Sequence, residues 1–170
     1  YRDGDHPDLQ DHYVAAWRVV AERFRAHPAV IGYDLMNEPY PGSLFDAAEA
    51  ATRRSPDGGA SSEHFDRYWL APFYQRAIDA IREVDQRSWI FFESRYGAPG
   101  NGSPSFLPRL TDRRAGDARL VYAPHLYSTL VEGFQAYLPG NETLARWEEH
   151  RRQEAERLDA PVLIGEWGFG

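Results

Sequence analysis

Two carboxylates in this 170-residue chain follow apolar runs of the kind that form buried strands. Glu38 stands at the end of VIGYDLMNEP, and Glu166 at the end of PVLIGEW. Such a pair at one edge of a parallel barrel can cleave a glycosidic bond, because one carboxyl protonates the leaving oxygen while the other, ionised, attacks the anomeric carbon. The two positions therefore predict acid/base and nucleophilic chemistry at a strand edge.

Five further side chains stand at or beside predicted strand ends and suit the same chemistry: Asn37, Glu93, His125, Tyr127 and Trp167. Asn37 can hydrogen-bond the sugar hydroxyl next to the reacting carbon. Tyr127 can donate to the nucleophilic carboxylate, and His125 can polarise the acid or bind a hydroxyl. Trp167 offers an apolar wall that helps to exclude water. Glu93 is interpreted as a support for the other groups or as a substrate contact.

The elements that must position these residues alternate along the chain. Apolar residues at helical spacing predict helices over residues 8–26, 63–84 and 143–158, with a kink or second start at Pro72 and an N-cap at Thr143. Strand-like runs begin at Val30, Ser88, Leu120 and Pro161. This order predicts a parallel α/β sheet, for which a doubly wound sheet and a (β/α) barrel both fit.

Composition excludes several classes of function. The net charge of −7 provides no basic surface for a nucleic acid. Lysine and cysteine are both absent, which rules out a Schiff-base lysine, a thiol nucleophile and a cysteine-based zinc site in this segment. No glycine-rich turn opens a helix after a strand, so dinucleotide binding is disfavoured. The remaining histidines are scattered without ligand spacing, so no metal is expected.

The stretches YDLMNEPYPG, APHLY and LIGEWG resemble glycoside hydrolase family 5 of clan A in order and spacing. The resemblance implies a (β/α)8 TIM barrel, of which this chain is an incomplete segment covering roughly strands four to seven. It also implies that Glu38 is the general acid/base with Asn37 as its partner, that Glu166 is the nucleophile, and that His125 and Tyr127 are the strand-six pair. The family places neither catalytic carboxylate on strand five, where Glu93 lies.

Within the family, GYDLMNEPYPGS and the following FDRYWLAPFYQRAIDAIREVD are most similar to the endoglycoceramidase branch. The resemblance therefore implies a retaining β-glycosidase acting on a carbohydrate or glycolipid, including a substrate at a membrane surface, without a cofactor. Two alternatives stay open: an endo-β-1,4-glucanase or mannanase, and an inactive truncated barrel that at most binds sugar.

Residues 1–170 are expected to be one partial catalytic domain, a piece of a longer protein. This piece lacks the N-terminal strands and the last strand of the barrel. No apolar run reaches the roughly 18 residues of a membrane span. An extracellular or secreted location is expected from the family resemblance alone.

Overall fold

The computed structural model describes residues 6–41, 59–97, 99–127 and 142–168, without the side chains of residues 59–61. Helices and strands follow one another in the order that the sequence predicts, with a long segment instead of a helix between the second and third strands. The helices are α1 (Leu9–Phe24), α2 (Gly59–Phe65), α3 (Ala71–Arg82) and α4 (Glu142–Leu158); the strands are β1 (Gly32–Asp34), β2 (Trp89–Phe92) and β3 (Leu120–Tyr122). None of these helices is long and apolar enough to cross a membrane.

The three strands form one parallel sheet in the order β1-β2-β3, with Tyr33 opposite Ile90 and Phe91 opposite Val121. Gly32 permits the close approach of β1 to β2, because a Cβ atom there would lie 2.3 Å from the backbone oxygen of Trp89. The predicted parallel α/β sheet is thus confirmed for these strands. They lie side by side in chain order, as strands of a barrel do.

The predicted fourth strand, PVLIGEWG, runs parallel to β3. It pairs with β3 and the residues that follow β3 only through isolated bridges, at Tyr122–Val162 and Leu126–Trp167. Leu163 N–H donates to the Tyr122 carbonyl over 2.9 Å, and Gly165 N–H donates to the Pro124 carbonyl over 3.2 Å. Pro124 has no N–H to return a hydrogen bond at this point, so the ladder is interrupted. The expectation of a regular strand here is therefore wrong, although the segment lies where that strand would lie.

The helix predicted over residues 63–84 begins at Gly59 and contains a π-helical turn, Asp66–Leu70, before it continues as α3. Pro72 lacks the N–H that would bond the carbonyl four residues earlier, and its ring crowds that carbonyl. The wider π turn directly before Pro72 accommodates both effects. The sequence predicts an N-cap at Thr143, but α4 already begins at Glu142. Thr143 therefore lies inside the first turn of α4 and is not its N-cap.

The core lies between the sheet and the helices that cover it. From α1, the Tyr13 hydroxyl and the Trp17 indole N–H both donate to the carbonyl of Leu35, just beyond β1. Helix α3 buries Tyr74, Ile78 and Ile81 against the sheet residues Ile90, Phe92 and Tyr122. The C-terminal ends of the strands are followed by polar side chains.

Candidate active site

One imidazole lies among three carboxylates at the C-terminal edge of the sheet. His125 Nδ1 lies 2.9 Å from Glu38 Oε1 and 3.5 Å from Glu166 Oε2, and its Nε2 lies 3.3 Å from Glu93 Oε2. Glu38, Glu93 and His125 follow β1, β2 and β3, and Glu166 lies in the C-terminal segment. Each strand-like run therefore contributes one side chain. The structure thus brings together four of the residues that the sequence singles out.

The carboxylates of Glu38 and Glu166 face each other across this cluster. One oxygen of each, together with the Nδ1 of His125, lie within 4.8 Å of one another. The Tyr127 hydroxyl donates to Glu166 Oε2 over 3.0 Å. The side chain of Glu38 is 30% exposed and that of Glu166 is 45% exposed. Both carboxylates are therefore reachable by a substrate.

The backbone at Glu38 adopts a left-handed conformation, with φ of 41°. A non-glycine residue in this region is disfavoured by about 1–2 kcal/mol. The Glu38 N–H donates to Glu93 Oε2 over 2.7 Å, and the next carbonyl, of Pro39, accepts from Tyr96 N–H over 3.0 Å. These two contacts hold the turn after β1 against the segment after β2.

Glu93 is only 3% exposed. Burial raises the pKa of its carboxyl to about 7, and the negative charges of Asp34 and Glu166 act in the same direction. The N–H of Glu38 and the positive charge of His125 oppose that rise. The buried Glu93 carboxyl is thus still protonated in part of the molecules near neutral pH.

His125 is fixed from two other sides. The Trp147 indole N–H of α4 donates to its backbone carbonyl over 2.9 Å. Gly165 passes directly beside the ring, since a Cβ atom there would lie 3.2 Å from His125 Cδ2 and 2.9 Å from the Ala123 carbonyl oxygen. Sequence reasoning missed both contacts; the glycine before Glu166 was the available signal for the second.

Asp34 is a further acidic residue of this edge that the sequence reading missed. Desolvation raises its pKa although its side chain still reaches solvent; the charge of Glu166 adds to this rise and that of His125 opposes it. A charged residue inside the otherwise apolar run VIGYDLMN was the signal that could have revealed it. Asp34 therefore adds to the negative charge that surrounds the imidazole.

A cleft of about 230 Å³ opens beside Glu38. Apart from the cluster residues Glu38, Glu93 and His125, it is lined by the segment after β2 and by Tyr127: Ser94, Arg95, Tyr96, Gly97, Gly100, Asn101 and Tyr127. Asn37, Glu166 and Trp167 do not line this cleft; Trp167 is 71% exposed. The structure therefore brings five of the seven predicted site residues together around His125, while Asn37 and Trp167 are exposed beside Glu38 and Glu166 in the chain.

Glu38, His125 and Glu166 also form a donor set that could hold a divalent cation, because carboxylate and imidazole atoms are common metal ligands. Of these atoms, His125 Nδ1 and Glu38 Oε1 already lie at a hydrogen-bonding distance of 2.9 Å, which suits acid/base chemistry. The sequence-based expectation of no metal remains a prediction.

Comparison with known proteins places this arrangement in context. Residues 3–170 match the profile of the cellulase family, glycosyl hydrolase family 5. Endoglycoceramidase I of Rhodococcus hoagii (strain 103S) is 33% identical over a match that covers 94% of this chain and 32% of the relative.

Among solved structures, endo-glycoceramidase II from a Rhodococcus species, in complex with ganglioside GM3, superposes with a TM-score of 0.80 at 35% identity, covering 95% of this chain and 34% of that chain. An endoglucanase of Pseudomonas stutzeri superposes with a TM-score of 0.61 at 26% identity, covering 94% and 44%. The chain thus spans about a third of the length of the endoglycoceramidases that it matches.

Proposed function

We propose a retaining glycosidase function from the premise that the chain belongs to glycosyl hydrolase family 5, the cellulase family. The family implies a (β/α)8 barrel. We assign residues 1–170 to one partial catalytic domain, with β1, β2, β3 and the C-terminal segment as barrel strands four to seven.

In the proposed mechanism, a carboxylate oxygen of Glu166 attacks the anomeric carbon while Glu38 gives its proton to the departing glycosidic oxygen. This step forms a glycosyl ester on Glu166 and leaves Glu38 ionised. Glu38 then takes a proton from water, whose oxygen attacks the anomeric carbon and releases Glu166. The two inversions at that carbon give net retention.

The observation that carries this proposal is the closeness of the two carboxylates. Retaining enzymes hold their carboxyl groups about 5–5.5 Å apart, whereas inverting enzymes separate them by roughly 6.5–9.5 Å to admit a water molecule. One oxygen of Glu38 and one of Glu166 lie within 4.8 Å of each other and beside the same imidazole nitrogen, a closeness that favours the first class. The Tyr127 hydroxyl, as a donor to Glu166, orients the carboxylate that must attack.

For the substrate, we favour a glycosphingolipid, as in endoglycoceramidases. Two features support this choice: the named relatives above, and an apolar groove of about 220 Å³. The groove is lined by α1, by the start of α3 and by the turn that follows Glu38: Leu9, Gln10, Tyr13, Met36, Pro39, Tyr40, Leu70 and Phe73. An alkyl chain of a lipid aglycone suits such a lining.

An endo-β-1,4-glucanase or mannanase is the second candidate, and a specific feature favours it. Tyr40 and Tyr96 form an exposed aromatic pair with ring centroids 5.6 Å apart, next to the polar cleft. Exposed rings of this kind stack on sugar faces. A truncated barrel that only binds sugar is the third candidate, and the test below also decides on it.

The test is hydrolysis of a fluorogenic lactosylceramide and of an aryl β-cellobioside by the full-length protein. We expect cleavage of the ceramide substrate, with the β-anomer as first product by NMR. Cleavage of the cellobioside alone would instead assign the protein a glucanase function. Cleavage of neither substrate would support the inactive barrel that at most binds sugar.

Three variants complete this test. Glu166→Ala and Glu38→Ala should each lower kcat by at least about 10³-fold, the order found when a catalytic group is removed. Azide should rescue Glu166→Ala with formation of the α-glycosyl azide, because azide then replaces the nucleophile. Glu148→Ala, an exposed glutamate of α4, is the matched control and should keep full activity. Full activity in Glu166→Ala would refute the mechanism.

The proposed partners are therefore a carbohydrate or glycolipid, including one presented at a membrane surface, and no nucleic acid. An extracellular or secreted location is part of the proposal and is testable by fractionation of the producing cells. No cofactor takes part in the proposed steps.

A further inference from the structure

Glu93 contacts two members of the cluster but has no part in the bond-breaking steps proposed above. Its Oε2 accepts the Glu38 N–H over 2.7 Å and lies 3.3 Å from His125 Nε2. At 3% exposure it is the most deeply buried carboxylate of the cluster. A buried acid beside other acids is costly, so its presence calls for a function.

The first contact stabilises an unfavourable turn. Glu38 has φ of 41°, a conformation that side-chain-bearing residues seldom adopt. Its N–H can be satisfied there only by an acceptor placed from outside the turn, and Glu93 supplies one at a distance typical of a strong hydrogen bond. Because the turn directs the Glu38 side chain, this hydrogen bond also fixes where the acid/base proton is held.

The second contact is electrostatic, since Glu93 Oε2 lies 3.3 Å from Nε2 of the His125 ring. Nδ1 of the same ring lies 2.9 Å from Glu38 Oε1, so Glu93 and Glu38 lie at the two different nitrogens of one imidazole. Between Nδ1 and Glu38, the ring nitrogen accepts when Glu38 carries the shared proton and donates when the imidazole carries it. Glu93 thereby helps to orient the imidazole that faces the acid/base.

We propose that Glu93 is a positioning residue for the acid/base step, which it serves by anchoring the Glu38 backbone and by orienting His125. The proposal rests on the glycosidase function proposed above and adds a role to a residue that sequence reasoning left undefined. Glu93 does not touch the reacting atoms in this role. Its carboxylate oxygen acts as a fixed acceptor behind them.

The charged and titratable groups that act on Glu93 come from every element around it: Asp34 and Glu38 from the β1 side, Tyr74 from α3, His125 after β3, and Glu166 from the C-terminal segment. Burial and the acidic neighbours raise the pKa of Glu93 to about 7. A carboxyl whose pKa is raised by folding destabilises the folded state as pH rises from its ordinary value through 7.

The experiment compares two β-glycosides of the sugar that the full-length protein hydrolyses. One releases 2,4-dinitrophenolate, which departs without a proton, and the other releases a primary alcohol, which requires one. We expect Glu93→Ala to lower kcat/KM by about 100-fold for the alkyl glycoside and by less than about tenfold for the dinitrophenyl glycoside, since acid catalysis contributes about 10²–10⁴-fold.

Glu93→Gln separates positioning from general structural support. Glutamine keeps an oxygen acceptor for the Glu38 N–H, so it should regain at least about tenfold of the alkyl-glycoside rate that Glu93→Ala loses.

Two results would overturn the proposal: equal losses on both glycosides, or a Glu93→Gln enzyme no faster than Glu93→Ala. If Glu93→Ala does not fold, the comparison of Glu93→Gln with Glu93→Asp, whose shorter chain withdraws the oxygen from the Glu38 N–H, tests the same point. Failure of the glycosidase proposal itself would be distinct, because wild type would then hydrolyse neither glycoside.

Discussion

At the scale of single residues, the cluster is organised around the hydrogen-bonding capacity of one imidazole. A histidine has only two ring nitrogens, yet three carboxylates lie within 3.5 Å of those of His125. Donors from elsewhere satisfy the surplus acceptors: the Glu38 N–H serves Glu93, and the Tyr127 hydroxyl serves Glu166. Each carboxylate therefore has a different hydrogen-bond donor. These different environments suit the different roles proposed for Glu38, Glu93 and Glu166.

Replacement of Tyr127 by phenylalanine tests that division. Tyr127→Phe removes the hydroxyl that donates to Glu166 Oε2 over 3.0 Å and leaves the ring in place. We expect kcat/KM to fall by about 10–100-fold, because the attacking carboxylate loses a charge-assisted hydrogen bond worth roughly 1.5–3 kcal/mol. Steady-state kinetics of the full-length protein measure the change.

Tyr68→Phe is the matched control, since Tyr68 lies in the π-helical turn, is 65% exposed and does not line the cleft. Its kinetic constants should equal those of wild type. Unchanged kcat/KM in Tyr127→Phe would contradict the assignment of Glu166 as the nucleophile that Tyr127 orients.

The residues of the site could be predicted from sequence to the extent that they end strands. Glu38, His125, Tyr127 and Glu166 follow apolar runs, so period and turn signals place them at one edge. The bond from the Glu38 N–H to Glu93 depends on a left-handed backbone, which no residue type at that position announces. Nor could sequence show that Trp167 would be 71% exposed, because exposure depends on neighbours distant in the chain.

At the scale of elements, a buried ionic network joins α4 to the long segment after β2 and to β3. Arg151 donates to the carbonyls of Pro99 and Ser103, and it pairs with Glu154 on the same helix. Glu154 accepts from the Ser105 N–H over 2.6 Å and from the Tyr122 hydroxyl over 2.8 Å. Two adjacent turns of α4 thus fix the backbone of a segment that has no regular structure of its own.

Removal of Arg151 should be strongly destabilising. Arg151→Met leaves Glu154 as a buried charge, since the two side chains are only 2% and 1% exposed, and it leaves two carbonyls without their donor. Breaking a buried pair in this way costs about 3–5 kcal/mol. Chemical denaturation of the full-length protein measures the loss.

The neighbouring Arg152 provides the control for this prediction. It pairs with Glu149 and Glu156 on the exposed face of the same helix, where solvent screens the charges. Arg152→Met should leave the denaturation midpoint almost unchanged. Equal shifts for the two variants would contradict the stabilising role given to the buried network.

Helical elements were easier to predict than the strands and the irregular segments. Apolar periodicity predicts α1, and it continues from α2 into α3 across the π turn, because that turn changes the phase of the helix without ending it. The last strand-like run was predicted as regular, but the missing N–H of Pro124 interrupts its pairing. The network of Arg151 was not predicted at all, since its acceptors lie about 50 residues away in the chain.

At the scale of the whole molecule, several exposed apolar side chains lie beside the outer edges of the sheet. Ile31, next to β1, is 72% exposed, and Leu163 and Ile164, in the C-terminal segment, are 51% and 41% exposed. In a closed (β/α)8 barrel, further strands lie at both of these edges and cover such residues. The exposure therefore accords with the fraction, about a third, that the chain spans of the endoglycoceramidases it matches.

The stability of the whole fold should also depend on pH through Asp66, in the π-helical turn. Asp66 accepts the Phe106 N–H over 2.7 Å and the Ser105 hydroxyl over 3.3 Å, while its Oδ1 has no hydrogen-bond partner among the described residues. Burial raises its pKa to about 6, against the lowering effect of the Phe106 N–H and of the Arg95 charge. The folded state therefore binds a proton at Asp66 that the unfolded state has already released at pH 5.

Because the folded state holds more protons over this range, the free energy of unfolding should fall as pH rises from about 4 to about 6, by up to about 3 kcal/mol from this group. Asp66→Asn keeps a side-chain oxygen for the Phe106 N–H but cannot ionise. The difference in unfolding free energy between wild type and variant, measured by denaturant at several pH values, should shift in favour of the variant through this window and level off above it. A difference that stays constant from pH 4 to pH 7 would show that Asp66 has the same pKa in the folded and unfolded chains.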